Sequence, residues 1–92
     1  MTDGFRDNDT AHHFELTEEG LTAFASYRRN GDIVIIPHVE APLPLRGKGT
    51  ADRLMRNVIE EARSKGFKIM PTCAYAKIWF KRHPDAADVL AP

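Results

Sequence analysis

A single cysteine in 92 residues rules out an internal disulfide and any zinc cage built from several thiolates. Charge of one sign is also lacking. Thirteen lysines and arginines balance thirteen aspartates and glutamates, so no net charge draws the chain toward nucleic acid or anionic lipid. No apolar run reaches the length of a membrane span, and the polar opening Met1-Thr2-Asp3-Gly4 is no signal peptide. There is no internal repeat, no Walker loop and no G-x-G-x-x-G. These absences leave a small cytoplasmic protein with one core. A chain of 92 residues buries about 60–68% of its unfolded surface, enough to fold without staples.

Residues 1–10 are polar without a repeating apolar face and read as a disordered tail ahead of one domain over residues 11–92. Phe14 and Leu16 alternate around Glu15 and predict a strand, and Glu18-Glu19-Gly20 predicts a turn. Leu21 to Arg28 repeats with period two, and Asn30-Gly31 then signals a hairpin. Ile33-Val34-Ile35-Ile36 is apolar on both faces, as a central strand would be. Three strands in antiparallel meander account for the first half.

Residues Gly49 to Lys65 form the best helix. Ala51, Leu54, Met55, Val58, Ile59 and Ala62 fall at helical spacing, and Gly66 caps the end. Phe67 to Met70 reads as a fourth strand, parallel to the third if the helix crosses over the sheet. A short helix from Ala74 to about Arg82 follows, with Pro84 just beyond. The class is α+β with a mixed sheet.

Pro37 ends the third strand and Pro71 the fourth, at similar positions. Proline has no N–H for a ladder, so pairing between these neighbours should fail near both. Parallel strands that part at their carboxyl ends, beside a helix N-terminus, leave a slot for a narrow ligand arm. Leu45-Arg46-Gly47-Lys48-Gly49-Thr50-Ala51 lies at that helix N-terminus. Two glycines and a small residue let backbone N–H groups close around an anion, and the helix adds its unsatisfied N–H groups and positive dipole end. A pyrophosphate suits such a loop, although the same sequence also serves as a plain strand-to-helix turn.

Arg46-x-x-Gly49-x-Ala51 resembles the Arg/Gln-x-x-Gly-x-Gly/Ala loop of the GNAT superfamily of N-acetyltransferases, which holds the pyrophosphate of acetyl-CoA. His38-Val39-Glu40-Ala41-Pro42, Arg46-Gly47-Lys48-Gly49 and Pro71-Thr72-Cys73-Ala74-Tyr75 occur in the order seen in its small, truncated branch. That branch commonly shows His-Thr-Glu-Val-Pro, Arg-Gly-x-Gly and Pro-x-Cys-x-Tyr. Val39 stands in place of threonine, so any role of that hydroxyl does not transfer. The resemblance spans about Phe14 to Leu90. It implies a splayed strand pair that holds acetyl-CoA, with pyrophosphate on Arg46, Gly47, Lys48, Gly49, Thr50 and Ala51 and pantetheine along the backbone from His38 through Val39 to Glu40. With His83 far along the chain and no second cysteine, no metal is expected. The turns at Glu18-Glu19-Gly20 and Asn30-Gly31 leave no room for the two helices that shape the acceptor side in full-length relatives. The acceptor side should therefore be open, or completed by another protein.

Three residues are candidates for the chemistry. Cys73 precedes the last helix, where the helix N-terminus favours a thiolate; a small core thiol is the bland alternative. His38 and Glu40, two apart, share a strand face and could take a proton from an amine that is mostly protonated near neutral pH. Each could equally serve in an ordinary ion pair or hydrogen bond. The Pro-x-Cys-x-Tyr resemblance adds Tyr75 to the cofactor side, and Lys77 and Lys81 on the last helix are placed to reach the ribose phosphate. Trp79 and Phe80 read as core, and His12-His13 as solvent-exposed.

The sequence therefore points to an N-acetyltransferase that moves the acetyl group of acetyl-CoA to a protein lysine, a peptide or a small amine, directly or through Cys73. Nucleic acid and membrane are excluded as partners, and the expected state is a monomer or weak dimer. A non-catalytic acyl-CoA-binding module is the rival reading.

Overall fold

The computed structural model describes residues 4–92, which form one five-stranded sheet in the order β1-β2-β3-β4-β5. The strands are β1 (Phe5–Asn8), β2 (His13–Glu18), β3 (Leu21–Asn30), β4 (Ile33–Glu40) and β5 (Lys68–Pro71). The first four pair antiparallel, and β5 runs parallel to β4. Helix α1 (Thr50–Lys65) makes the crossover between them, and α2 (Ala74–Arg82) follows β5. A 3-10 segment, Pro84–Val89, closes the chain against both helices.

The helices form where the pattern requires. Leu54, Met55, Val58, Ile59 and Ala62 of α1 are all buried, at spacings of three and four. Burial of each large side chain is worth about 1.5–3 kcal/mol, so packing, more than propensity, fixes α1 on the sheet. Gly66, at φ 79°, ends the helix and donates its N–H to the Ala62 carbonyl at 2.8 Å. From α2, Ala76, Trp79 and Phe80 enter the same core. Both helices thus cover one face of the sheet. Among the described residues no helix is long and apolar enough to cross a membrane.

The disordered tail expected over residues 1–10 is corrected from Gly4 onward. Phe5–Asn8 form an edge strand on β2, making four meander strands in place of three. Its composition misleads because only Phe5 has an apolar partner, stacking on Phe14 with centroids 6.4 Å apart. The polar side chains are satisfied laterally. Arg6 and Asn8 donate to Glu15 at 2.8 and 3.0 Å, and Asp7 accepts from the Tyr27 hydroxyl. The first part of the expected tail, Met1 to Asp3, lies outside the described residues.

A second correction concerns Pro37, which does not end its strand. Between the pairs Arg28↔Ile35 and Ser26↔His38, β3 contributes Tyr27 alone while β4 contributes Ile36 and Pro37. This is a β-bulge, and its extra residue reverses the alternation of β4. Val34 and Ile36 face the helices before it, and Val39 packs on the core after it. His38 and Glu40 therefore fall on the opposite, uncovered face, beside Ser26 and Phe24.

Candidate functional site

A 3-10 turn at Leu43–Leu45 leads into the loop Arg46–Gly49 and then α1. Gly47 and Gly49 have φ of 80° and 79°, a left-handed conformation that L side chains adopt only with strain. The chain thereby coils so that successive N–H groups are left over. Arg46 and Lys48 donate their amides to the Leu43 and Leu45 carbonyls. The amides of Gly47, Gly49, Thr50, Ala51 and Asp52 have no acceptor among the described residues. Five unanswered N–H groups at the positive end of a sixteen-residue helix are an arrangement with which an anion can be held. They border a cavity of about 250 Å³ lined by Arg46, Gly47, Gly49, Thr50 and Ala51, and by Tyr75 from α2. The Arg46 guanidinium also donates to the Ala41 carbonyl at 3.2 Å, which fixes the start of the loop.

Lys48 departs from the expected arrangement. Its ammonium lies between both carboxylate oxygens of Glu19, each at 3.0 Å, and it does not line the cavity. Glu18, Glu19 and Arg53 are participants that the sequence reading missed. Glu19 and Gly20 turn the β2–β3 hairpin with φ of 53° and 74°, directing its tip at the loop. Glu18 accepts from the Thr50 hydroxyl at 2.6 Å and from Arg53 Nε and Nη2 at 2.7 and 2.8 Å. Arg53 Nη2 also donates to the Lys48 carbonyl at 2.8 Å. Arg53, and the Thr50 hydroxyl with it, hold the Glu18 carboxyl at about 2, well below its ordinary value. The spacing of Thr50 and Arg53 on one helix face hints at a shared partner, but nothing local points to a glutamate thirty-two residues upstream.

Pairing between the parallel strands stops at the prolines, as expected. Pairing of β4 with β5 runs from Ile33↔Lys68 to Ile36↔Pro71 and closes with the Thr72 N–H on the Ile36 carbonyl at 3.0 Å. Past this point β4 continues to Glu40 with β3 alone as partner, while the other chain turns into α2. The strands part just past Ile36↔Pro71, where neither Pro37 nor Pro71 has an N–H to give to a ladder.

Two sets of candidate residues flank this parting. On the uncovered face, His38 Nε2 lies 3.0 Å from Glu40 Oε1, and the Phe24 ring is 5.9 Å from the imidazole. His13, expected to be solvent-exposed, is half-buried and stacks on Phe24 with centroids 4.3 Å apart. Two cross-strand rows result: Arg6, Glu15, Phe24 and Glu40 in one, Asn8, His13, Ser26 and His38 in the next. On the helix side, Cys73 is the N-cap of α2. Its Sγ accepts the Ala76 N–H at 3.4 Å, and the side chain packs against the core. No hydrogen bond among the described residues joins Cys73 to His38 or Glu40. Val39 also packs on the core. Lys77 and Lys81 are exposed on α2 and line neither the loop cavity nor the groove beside it. No group of three or more histidine, cysteine, aspartate or glutamate side chains among the described residues is arranged to hold a metal ion.

The fold is similar to that of a GCN5-like candidate N-acetyltransferase from Staphylococcus aureus, solved in solution by NMR. The two share 23% identity, with 99% of this chain and 91% of that chain covered and a TM-score of 0.69. No curated protein matches the chain in sequence. A family model for the GCN5-related N-acetyl-transferases matches residues 13–89. With that match extending from the start of β2 to the end of the closing 3-10 segment, the chain belongs to the GCN5-related N-acetyl-transferase family of acyltransferases.

Proposed function

We propose that the protein transfers the acetyl group of acetyl-CoA to a primary amine carried by a protein, a peptide or a small molecule. The observation that carries this reading is the run of five unpartnered amides from Gly47 to Asp52, bordering a cavity beside the parted strands. Such a loop suits a pyrophosphate, and the slot between β4 and β5 suits the pantetheine arm, which can bond to backbone groups that β4 leaves free beyond Ile36. The thioester then reaches the mouth of the slot near His38, Glu40 and Cys73.

The direct route needs a proton acceptor and a donor for the oxyanion. The amine nitrogen attacks the thioester carbonyl, its proton passes to the His38–Glu40 pair directly or through water, and the C–S bond breaks with coenzyme A leaving as thiolate. The 3.0 Å pairing of imidazole and carboxylate on the uncovered face favours this route, because an acceptor approaching that face meets no helix. A covalent route has its own support in the position of Cys73, immediately after the last rung of β5. There the thiolate would take the acetyl group, releasing coenzyme A, and pass it to the amine.

An amide-resolved NMR titration with acetyl-CoA tests the donor reading. Saturable shifts at Arg46 to Ala51, around His38 and around Cys73 are expected. No shift at millimolar ligand would reduce the loop to an ordinary turn and remove the enzyme reading with it. Saturable binding without acetyl transfer to any amine or peptide in a library would leave an acyl-CoA-binding module.

A further inference from the structure

The face of the sheet that carries His38 and Glu40 also holds side chains that the core does not use. Tyr27 of β3, Val34 and Ile36 of β4 and Ile69 of β5 point into the core, so Arg28, Ile35 and Met70 point the other way. These three form one cross-strand row, Arg28 opposite Ile35 and Ile35 opposite Met70. Met70, 37% exposed, precedes Pro71, the last rung before the strands part. Pro37, exposed in the bulge, lies between this row and His38. An apolar strip thus begins below the parting of the strands and ends at a guanidinium. We infer that this strip receives the acceptor, and that the acceptor is a small, unbranched amine with a carboxylate at its other end. The inference rests on the acetyl-transfer reading above.

Charge selects the carboxylate. Three cations stand on this face of the strands. Arg6 is answered by Glu15 at 2.8 Å, and the Lys68 ammonium donates to the Asp88 carbonyl. Arg28 is exposed and enters no ion pair or hydrogen bond among the described residues. It borders a cavity of about 370 Å³ with Asp9, His12 and Arg29. The acid there is already occupied, since Asp9 accepts from the Tyr27 hydroxyl at 3.1 Å and faces Arg29 Nε at 4.0 Å. Arg28 is therefore the cation left for an incoming anion, and it repels an acceptor with a second ammonium.

Spacing selects the stem. Ser26 is the Cα partner of His38, and Arg28 lies two residues further along β3, about 7 Å away. An amine held at the His38–Glu40 pair therefore reaches Arg28 through a stem of about four or five methylene groups. Such a stem lies over Pro37 and Ile35, which are apolar. A small molecule suits this face better than a peptide. Backbone N–H and C=O groups lie in the plane of a sheet, so the face presents side chains alone and gives a peptide no main-chain partner.

The test measures kcat/KM for transfer from acetyl-CoA to 6-aminohexanoate, hexylamine and 1,6-diaminohexane, amines of similar length that differ in the charge of the far end. Wild type is expected to prefer the amino carboxylate to the diamine by about fivefold or more, since one exposed ion pair is gained and one like-charge contact avoided. Arg28→Gln should remove the preference, and Arg28→Glu should reverse it. Met70→Ser, at an exposed position, should lower kcat/KM for hexylamine and 6-aminohexanoate alike. Each variant is first titrated with acetyl-CoA, whose binding reports an intact fold. Several results would overturn the inference and leave the donor reading standing: no preference in wild type, a preference that survives Arg28→Glu, or a lysine peptide with acidic flanks acetylated faster than 6-aminohexanoate. Donor binding without acetylation of any of these amines would overturn it as well. Failure of wild type to bind acetyl-CoA at millimolar concentration would overturn both readings.

Discussion

Glu19 holds the Lys48 ammonium between its two carboxylate oxygens, tying the tip of the β2–β3 hairpin to the loop that precedes α1. Both side chains are half exposed or more, so the pair contributes at most about 1 kcal/mol and can exchange. A phosphate arriving at the loop offers Lys48 a second partner. Glu19→Gln should therefore tighten acetyl-CoA binding, by up to about fivefold, and the gain should vanish in a Lys48→Ala background. Titration of the four proteins of this cycle checks the coupling. Equal tightening with and without Lys48 would mean general repulsion, not competition.

Glu18, one residue earlier, is a fixed support where Glu19 is exchangeable. Arg53 with two nitrogens, and Thr50 with its hydroxyl, hold its carboxyl at about 2 against an ordinary 4.5. The folded value lies below the unfolded one. The contribution to stability is therefore complete above about pH 4.5 and is lost as pH falls toward 2. Glu18→Gln lacks that contribution already at neutral pH and should lose less stability than wild type across the same window. Denaturant midpoints followed by circular dichroism from neutral pH to pH 2 measure it, and parallel curves for the two proteins would sink the assignment.

The two loop glycines should respond unequally to alanine. Both have φ near 80°, which costs a Cβ about 1–2 kcal/mol. Around Gly47 an added Cβ meets nothing within 4 Å, so the cost stops there. At Gly49 it comes within 3.1 Å of Arg53 Nη1, the guanidinium that binds Glu18 and the Lys48 carbonyl. Gly49→Ala is expected to be the more destabilising in urea denaturation and to weaken acetyl-CoA binding more. Equal effects would mean that Arg53 does not hold the loop.

Local signals made much of this legible from sequence. The Leu54-to-Ala62 periodicity and Gly66 set α1, the alternation around Phe14 and Ala25 set β2 and β3, and two prolines marked where β4 and β5 part. What failed was non-local. β1 is polar because its side chains are satisfied across the sheet by Glu15 and Tyr27, which composition cannot reveal. The continuation of β4 past Pro37 depends on a bulge opposite Tyr27, a matter of register between strands. At the site, the amides of the loop follow from its glycines, whereas Glu18 and Glu19 reach it only through the three-dimensional path of the hairpin.

His38 and Glu40 lie on one side of β4, and Cys73 packs on the other, so the two proposed chemistries separate cleanly by mutation. Direct transfer needs the proton acceptor in the bond-making step. Glu40→Gln and His38→Ala should then lower kcat, by about 100-fold for the residue that takes the proton, with acetyl-CoA affinity little changed. Both side chains are more than half exposed, so neither substitution opens a cavity and folding should be preserved. Cys73→Ala should retain turnover on this route, and acetyl-CoA without acceptor should leave no acetyl group on the protein by mass spectrometry. If Cys73→Ala instead abolishes turnover while sparing donor binding, and Cys73 carries an acetyl group when the acceptor is withheld, the thiol is the nucleophile. The His38–Glu40 pair would then be left the task of deprotonating the amine in the second step.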